Sequence, residues 1–576
     1  MWIYYDTETT GKCHPFDQIL QIAAIVTSKK WREFETINYR CRLRPDVIPT
    51  PEAMLVTRQR PTDLESNSRK THYEMFNDYD RFLKERIISQ KDRGGDINGY
   101  TRERPVTFKG HNILGFDEYA YRMDTHMTLH NPYIHMIDGC ARFDTMIAAQ
   151  AMAIYGSGKM KFPTTAKGNL SFRLGGLCET NNIVVDHSDL HDALADVRYT
   201  IKLDQKMAEL EPQLYYQMDL MANKQDVRAF CQKNQVFSYS LMHFGKPKTG
   251  FFTSIANDDD RPRRTDNNQL MWDLTQDPEL FFEKSVEELS EYFSKSKRGN
   301  NYKMGSAPVL WCRRNEQPMM MPLHLVPDEL KKKAEFSDIN DVKEIEDIMQ
   351  ERAKKLKKNP DFIKKLNEAY KMALDVEYDE RPYAQEWLYE GFPDKQMKEW
   401  MTRFHRSDWE TKKDLLQDFK NRFKKELEEE PKLKRYCHFG ILIVLENAPR
   451  HHIEHDPVWS SLEKKFKRKR ALAQLSTNKY YPTASDPDDY KMTLPYAKMR
   501  METIRKDIVS ATGDAQAALQ DKYNYSHKRE IIPLIDSWIR YYDQRIERAI
   551  FDAGLVDTIG QKKSKRKKKA PKRAMR

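Results

Sequence analysis

No run of roughly 18 or more apolar residues occurs in the 576-residue chain, so no segment has the length and character to cross a bilayer as a helix. The longest apolar stretch, Phe439 to Leu445, is only strand-sized. Cysteine is sparse. The seven residues Cys13, Cys41, Cys140, Cys178, Cys231, Cys312 and Cys437 are scattered, odd in number and free of any Cys-x-x-Cys pair, which argues against a disulfide scaffold and for reduced thiols in a cytoplasmic setting. The opening apolar run Trp2–Tyr5 meets charged Asp6 at once, which leaves no room for a signal or transit peptide. Internal repeats are also lacking. Charge of one sign is scarce until the end: the ten basic side chains of residues 562–576 account for nearly all of the net charge of +11. The basic pI therefore describes a tail, and a nucleic-acid groove would have to come from local clustering. Lys464, Lys465, Lys467, Arg468, Lys469 and Arg470, interrupted by Phe466, form one such cluster, equally readable as a solvated helix face.

What remains is a chain too long for one core, and its character changes along its length. Residues 1–205 alternate β-branched or aromatic runs (Trp2–Tyr5, Ile19–Val26, Val106–Phe108) with helical patterns, the pattern of an α/β domain. Leu190, Leu194, Val197 and Ile201 then make the stripe of a closing helix. Residues 206–355 read as β-rich, with strands at Phe237–Phe244, Phe251–Ile255, Leu270–Leu274 and Pro308–Cys312 around a polar loop Asn257–Asn268. Residues 356–556 turn Lys/Glu-rich with aromatic anchors, an all-helical pattern broken at Pro382 and Pro393. Residues 557–576 form a basic tail without apolar periodicity, expected to be disordered.

Three elements carry chemistry. In Asp6-Thr-Glu8, strand alternation puts both carboxylates on one face. Gly110 to Asp117 delivers a third acid toward a helix start, where alone it would be read as a cap, and His191-Asp-Ala-Leu-Ala-Asp196 adds a fourth acid with a histidine five residues ahead. Clustered carboxylates repel unless cations neutralise them, and hard oxygen donors select Mg²⁺, with Mn²⁺ as a substitute. Phosphodiester hydrolysis by two metals suits this set. Asp6 would bridge the two ions, Glu8 and Asp196 would complete the one carrying the attacking water, and Asp117 would hold the other. His191 would take the proton from that water.

The order Asp-x-Glu, Asp, His-x4-Asp resembles the DEDDh exonucleases. The segments "HPFDQILQIAAI", "GHNILGFDEYAYR", "RFDTMIAAQAM", "SFRLGGL" and "HDALADVRYTI" are more specifically similar to the bacterial exodeoxyribonuclease I family. That resemblance implies a ribonuclease H-like α/β exonuclease domain, then a small SH3-like β-rich domain, then a helical domain, the three closing a clamp around the strand. It implies 3′→5′ degradation of single-stranded DNA to 5′-mononucleotides with Mg²⁺. Asp6, Glu8, Asp117 and Asp196 match the metal ligands, with Glu8 also near the substrate, and His191 matches the base. Arg173 matches a substrate-phosphate contact, and Arg122 and Tyr133 resemble strand contacts. The expected partners are single-stranded DNA and a single-stranded-DNA-binding protein engaged through its acidic tail, with the enzyme a cytoplasmic monomer that uses no membrane.

Two other readings compete. The same carboxylates would serve an RNA-directed exonuclease, because discrimination rests on contacts to the 2′ position that sequence does not display. A catalytically dead, DNA-binding scaffold is the second, and the intact set of five catalytic residues argues against it.

Overall fold

The structure, a computed structural model, describes residues 1–91, 106–137, 140–165, 167–186, 191–255, 267–296, 307–334, 336, 339, 341–374, 380–476, 492–523 and 525–555. The basic tail, Leu190 and most of the loop expected at Asn257–Asn268 lie outside the described residues.

Alternation decides the first sheet. In β1 (Trp2–Thr9), Trp2 and Tyr4 join Ala193, Val197 and Ile201 in one buried cluster, while Ile3 and Tyr5 join Phe76, Tyr79 and Phe108 in another. The strand is thus sandwiched between helices, with Asp6 and Glu8 continuing the face that meets the helix Ala193–Leu210. β2 (Ile19–Thr27) is buried at every position, as expected of a strand with neighbours on both sides. β3 (Glu33–Arg40), β4 (Thr107–Gly110) and β5 (Ala141–Asp144) complete the order β3-β2-β1-β4-β5. β1 to β3 are antiparallel, and β4 and β5 run parallel to β1. This mixed sheet with helices on both faces is the ribonuclease H-like arrangement. The closing helix begins at Ala193 because Asp192 caps it, its carboxylate accepting from the Leu194 and Ala195 backbone N–H groups at 3.2 and 3.4 Å. Its described stripe therefore starts at Leu194.

A second, antiparallel sheet has the order β10-β6-β7-β8-β9, formed by β6 (Phe237–His243), β7 (Lys246–Ser254), β8 (Asn268–Asp273), β9 (Val309–Arg313) and β10 (Met319–Pro322). Trp272 of β8 packs edge-on against Phe281 and Phe362, which draws the helix Pro360–Ala373 onto the sheet. The other described elements of the C-terminal half are helical. The strand-sized apolar stretch Phe439–Leu445 lies inside the helix Arg435–Asn447, because a short apolar run does not fix its own period and here it packs among helices. Gly440 leaves space there for Leu416, whose Cδ2 stands 2.5 Å from where a Cβ would be. The C-terminal helices return to the first domain. Trp538 donates to the Gln59 carbonyl and Tyr542 to the Pro49 carbonyl, each at 2.9 Å. Among the described residues no helix is long and apolar enough to cross a membrane, and all seven cysteines are free.

Candidate active site

The acids converge at the ends of β1 and β4. Gly110 ends β4 so close to β1 that a Cβ would stand 2.6 Å from the Tyr5 carbonyl oxygen, so glycine permits the turn toward Asp117. Asp117 opens the helix Asp117–Met127, as its first residue and not its cap, and its Oδ1 accepts from the Thr7 backbone N–H at 3.0 Å and the Thr7 hydroxyl at 2.6 Å. Thr7, on the opposite face of β1 from Asp6 and Glu8, thereby ties the third acid to the strand that carries the first two. Asp6, Glu8 and Asp196 each present a ligand oxygen, all within 4.8 Å of one another.

This grouping is electrostatically costly without a cation. Burial, then Asp117, Asp196, Glu8 and Asp192, hold the Asp6 carboxyl well above its ordinary range, and burial with Asp196, Asp117 and Asp192 does the same to Glu8. Burial pushes Asp117 up to about 7 against the opposing Thr7 hydrogen bonds, and burial pushes Asp196 up to about 7 as well. Among the described residues Asp196 Oδ1 is buried without a hydrogen-bond partner. An all-oxygen donor set with an unused buried oxygen and mutual repulsion fits a hard divalent cation. The cluster is able to hold a metal ion.

His191 stands at the mouth, exposed, with φ of 66°, in the left-handed region just before the capping Asp192. Crowding by neighbouring atoms, and then the charge of Arg173, holds its imidazole below the usual value. Arg173 is also exposed and pairs at 3.2 Å with Asp521, from the helix Gly513–Tyr523. Arg122 and Tyr133 are held by other partners. Arg122 is mostly buried, 3.2 Å from Glu118 and over the Tyr119 ring, and Tyr133 is half-buried with its ring 6.4 Å from Phe392. Of the basic run, Phe466, Lys469 and Arg470 line a cavity of about 810 Å³ between the loop after β1 and the helical region, with Phe16, Tyr383 and Trp387 also in its wall.

Sequence reasoning missed the supporting residues. Arg40 of β3 pairs with Asp192, and Gln21 donates to the same carboxylate at 3.1 Å. Buried Glu118, next to Asp117, accepts from Tyr5, His135, Arg142 and Arg122. Asp192 was recoverable, since an acid directly before an apolar stripe signals a helix cap. The Arg40–Asp192 pair and the Tyr5 and Arg142 contacts of Glu118 join distant segments and left no local signal; Arg122, four residues after Glu118, was recoverable.

Fold and site together define a ribonuclease H-like α/β domain, followed by a five-stranded antiparallel sheet and a helical region, with an acidic cluster able to hold a metal ion. The family model of the Exonuclease I SH3-like domain matches residues 223–372. Exodeoxyribonuclease I of Haemophilus influenzae is 23% identical over 325 residues, which span 55% of this chain and 63% of that relative's length. A crystal structure of Escherichia coli Exonuclease I in complex with a dA16 oligonucleotide superposes with a TM-score of 0.63 at 16% identity, covering 94% of this chain and 99% of that one. A structure of SSB/Exonuclease I in complex with the inhibitor CFAM gives a TM-score of 0.61 at 16% identity, covering 95% and 99%. The chain is similar to bacterial exodeoxyribonuclease I in sequence and in fold.

Proposed function

We propose that the chain is a Mg²⁺-dependent 3′→5′ exonuclease that degrades single-stranded DNA to 5′-mononucleotides. The observation that carries this reading is the meeting of Asp6, Glu8 and Asp196 oxygens within 4.8 Å, with buried Asp117 held beside them by Thr7. Asp6, Glu8, Asp117 and Asp196 would hold two divalent ions, which when bound activate water and neutralise charge on the phosphate and the leaving 3′ oxygen. The chain's own groups do the rest. His191, neutral at physiological pH, accepts the proton of the attacking water at an imidazole nitrogen. Arg173, exposed beside His191, offers its guanidinium to the phosphate of the terminal nucleotide. Thr7 and the Glu118 network keep Asp117 from turning away.

Single-stranded substrate is favoured by the cavity beside the loop after β1, where aromatic walls and Lys469 and Arg470 suit stacked bases and a phosphate backbone. The likeness to exonuclease I bound to an oligonucleotide supports DNA, and the likeness to exonuclease I with SSB supports recruitment by such a protein. The test uses single-stranded DNA and RNA, each labelled at the 5′ or the 3′ end, with and without Mg²⁺. Immediate release of the label as a mononucleotide from 3′-labelled DNA is expected, with progressive shortening of 5′-labelled DNA. Preference for RNA, or release of the label first from the 5′ end, would overturn the reading.

A further inference from the structure

A second charged cluster sits inside the nuclease domain, about 12 Å along the Ala193–Leu210 helix from Asp196, at Asp204 eight residues on. Asp204 is fully buried, and so is Lys109 of β4, whose Nζ lies 2.9 Å from Asp204 Oδ2. The same oxygen accepts from Tyr215 at 2.8 Å, from the Trp31 indole at 3.0 Å and from Tyr4. The Lys109 ammonium also donates to Tyr215 at 2.6 Å and stands 3.8 Å from the Trp2 ring centroid and 4.2 Å from that of Phe143. Trp31 reaches Asp204 from a left-handed backbone, φ 58°, which a bulky side chain seldom adopts.

A buried ion pair is weak evidence for stability, because its desolvation cost rivals its attraction. Its placement says more. Lys109 is the register partner of Tyr4 on β1 and of Phe143 on β5. Tyr4 shares its face of β1 with Asp6, two residues further along. The cluster therefore bonds β1 and β4 to the helix that carries Asp196, with directional contacts that apolar packing lacks. Like charges among Asp6, Glu8, Asp117, Asp192 and Asp196 press on the other end of that helix while no cation is bound.

We infer that the Lys109–Asp204 pair, with Tyr4, Trp31 and Tyr215, is a positioning unit that fixes the Ala193–Leu210 helix in register on β1, so that Asp196 stays in reach of Asp6 and Glu8 before the metal arrives. The inference rests on the proposed metal-dependent reading of the acidic cluster. Its function is to preorganise the metal site.

The test is a Mn²⁺ titration of the full-length protein without DNA, read by the electron paramagnetic resonance of free Mn²⁺, on wild type and on Lys109→Met/Asp204→Asn. That double variant removes both charges together and keeps an acceptor for the three neutral donors. Affinity should fall by about tenfold, as for other residues that orient metal ligands. Amide exchange across 193–200 should quicken in the metal-free double variant only, with an unfolding temperature close to wild type. Mn²⁺ affinity within twofold of wild type together with unchanged exchange would overturn the inference. If the double variant fails to fold, Tyr4→Phe, which deletes one bond to Asp204 and no charge, should still weaken Mn²⁺ binding measurably, and wild-type affinity there would equally overturn it. A wild-type protein that binds Mn²⁺ but cuts no DNA would count against the exonuclease reading alone.

Discussion

Stripping divalent cations and raising the pH from about 6.5 to about 8 should lower the unfolding temperature of the first domain relative to that of the Mg²⁺-bound protein. The cause is the set of raised carboxyls. Asp117 is 3% exposed and held at about 7, against an ordinary value of 3.8. A carboxyl raised in this way favours the folded state most below its unfolded value, and the contribution fades as pH climbs through the folded value, because the native protein binds the extra proton. For one group at about 7, the loss between about pH 6.5 and about pH 8 is on the order of 1 kcal/mol. In a domain of roughly 200 residues that is about 2–3 °C. Burial and the neighbouring carboxylates raise Asp6 and Glu8 as well, so they act in the same direction. Buried histidines act in the opposite direction: His111 and His438 at about 4, and His126 and His130 at about 3, add stability as pH rises toward and past 6.5, with or without Mg²⁺, so the carboxyls are read from the difference between the two conditions. Differential scanning fluorimetry in chelator at several pH values, repeated with Mg²⁺, separates the two. The gap between chelator and Mg²⁺ should widen above about pH 6.5, and less so in Asp117→Asn. A metal-free unfolding temperature that does not fall relative to that with Mg²⁺ over that range would refute the reasoning.

Further outcomes are expected at individual residues. Asp196→Asn should abolish cleavage while strand affinity in Ca²⁺ stays within a few-fold of wild type, measured by fluorescence anisotropy; activity within tenfold of wild type would remove Asp196 from the metal site. His191→Ala should slow single-turnover cleavage by roughly 10²–10⁴-fold and erase the acidic limb of the pH–rate profile, which in wild type should lie below 6.5. An unchanged profile would speak against its role as base. Arg173→Ala should raise KM for a strand, whereas Asp521→Ala should leave the unfolding temperature where it is, since the pair is solvent-exposed on both sides. A large loss of stability in Asp521→Ala would mean that this contact holds the helical region in place.

Much of the site could be read from sequence because its signals are local. Asp6 and Glu8 share a face by strand alternation, and Asp192 announces the helix that carries Asp196. The SH3-like and helical parts were legible as changes of period and composition. What escaped depends on contacts between remote segments. Lys109 and Asp204 are 95 residues apart, and Arg40 and Asp192 are 152 apart. Lys109 looks like one more surface lysine until β4 is set between β1 and β5. β10 is four residues ending in Pro322, too short to show a period, and Phe439–Leu445 was apolar enough to suit either a strand or the helix that it forms. Glu118 and Arg122, four residues apart on one helix, had the spacing of a readable ion pair, whereas the Tyr5 and Arg142 partners of Glu118 did not.

The most direct test of the account is a single-turnover reaction on a single-stranded DNA 3′ end with Mg²⁺, in water enriched in heavy oxygen, for wild type and Asp6→Asn. The account predicts a released 5′-mononucleotide carrying heavy oxygen on its phosphate, a new unlabelled 3′-hydroxyl on the shortened strand, and no product from Asp6→Asn. A nucleotide without the isotope, a product bearing a 3′-phosphate, or full turnover by Asp6→Asn would contradict it.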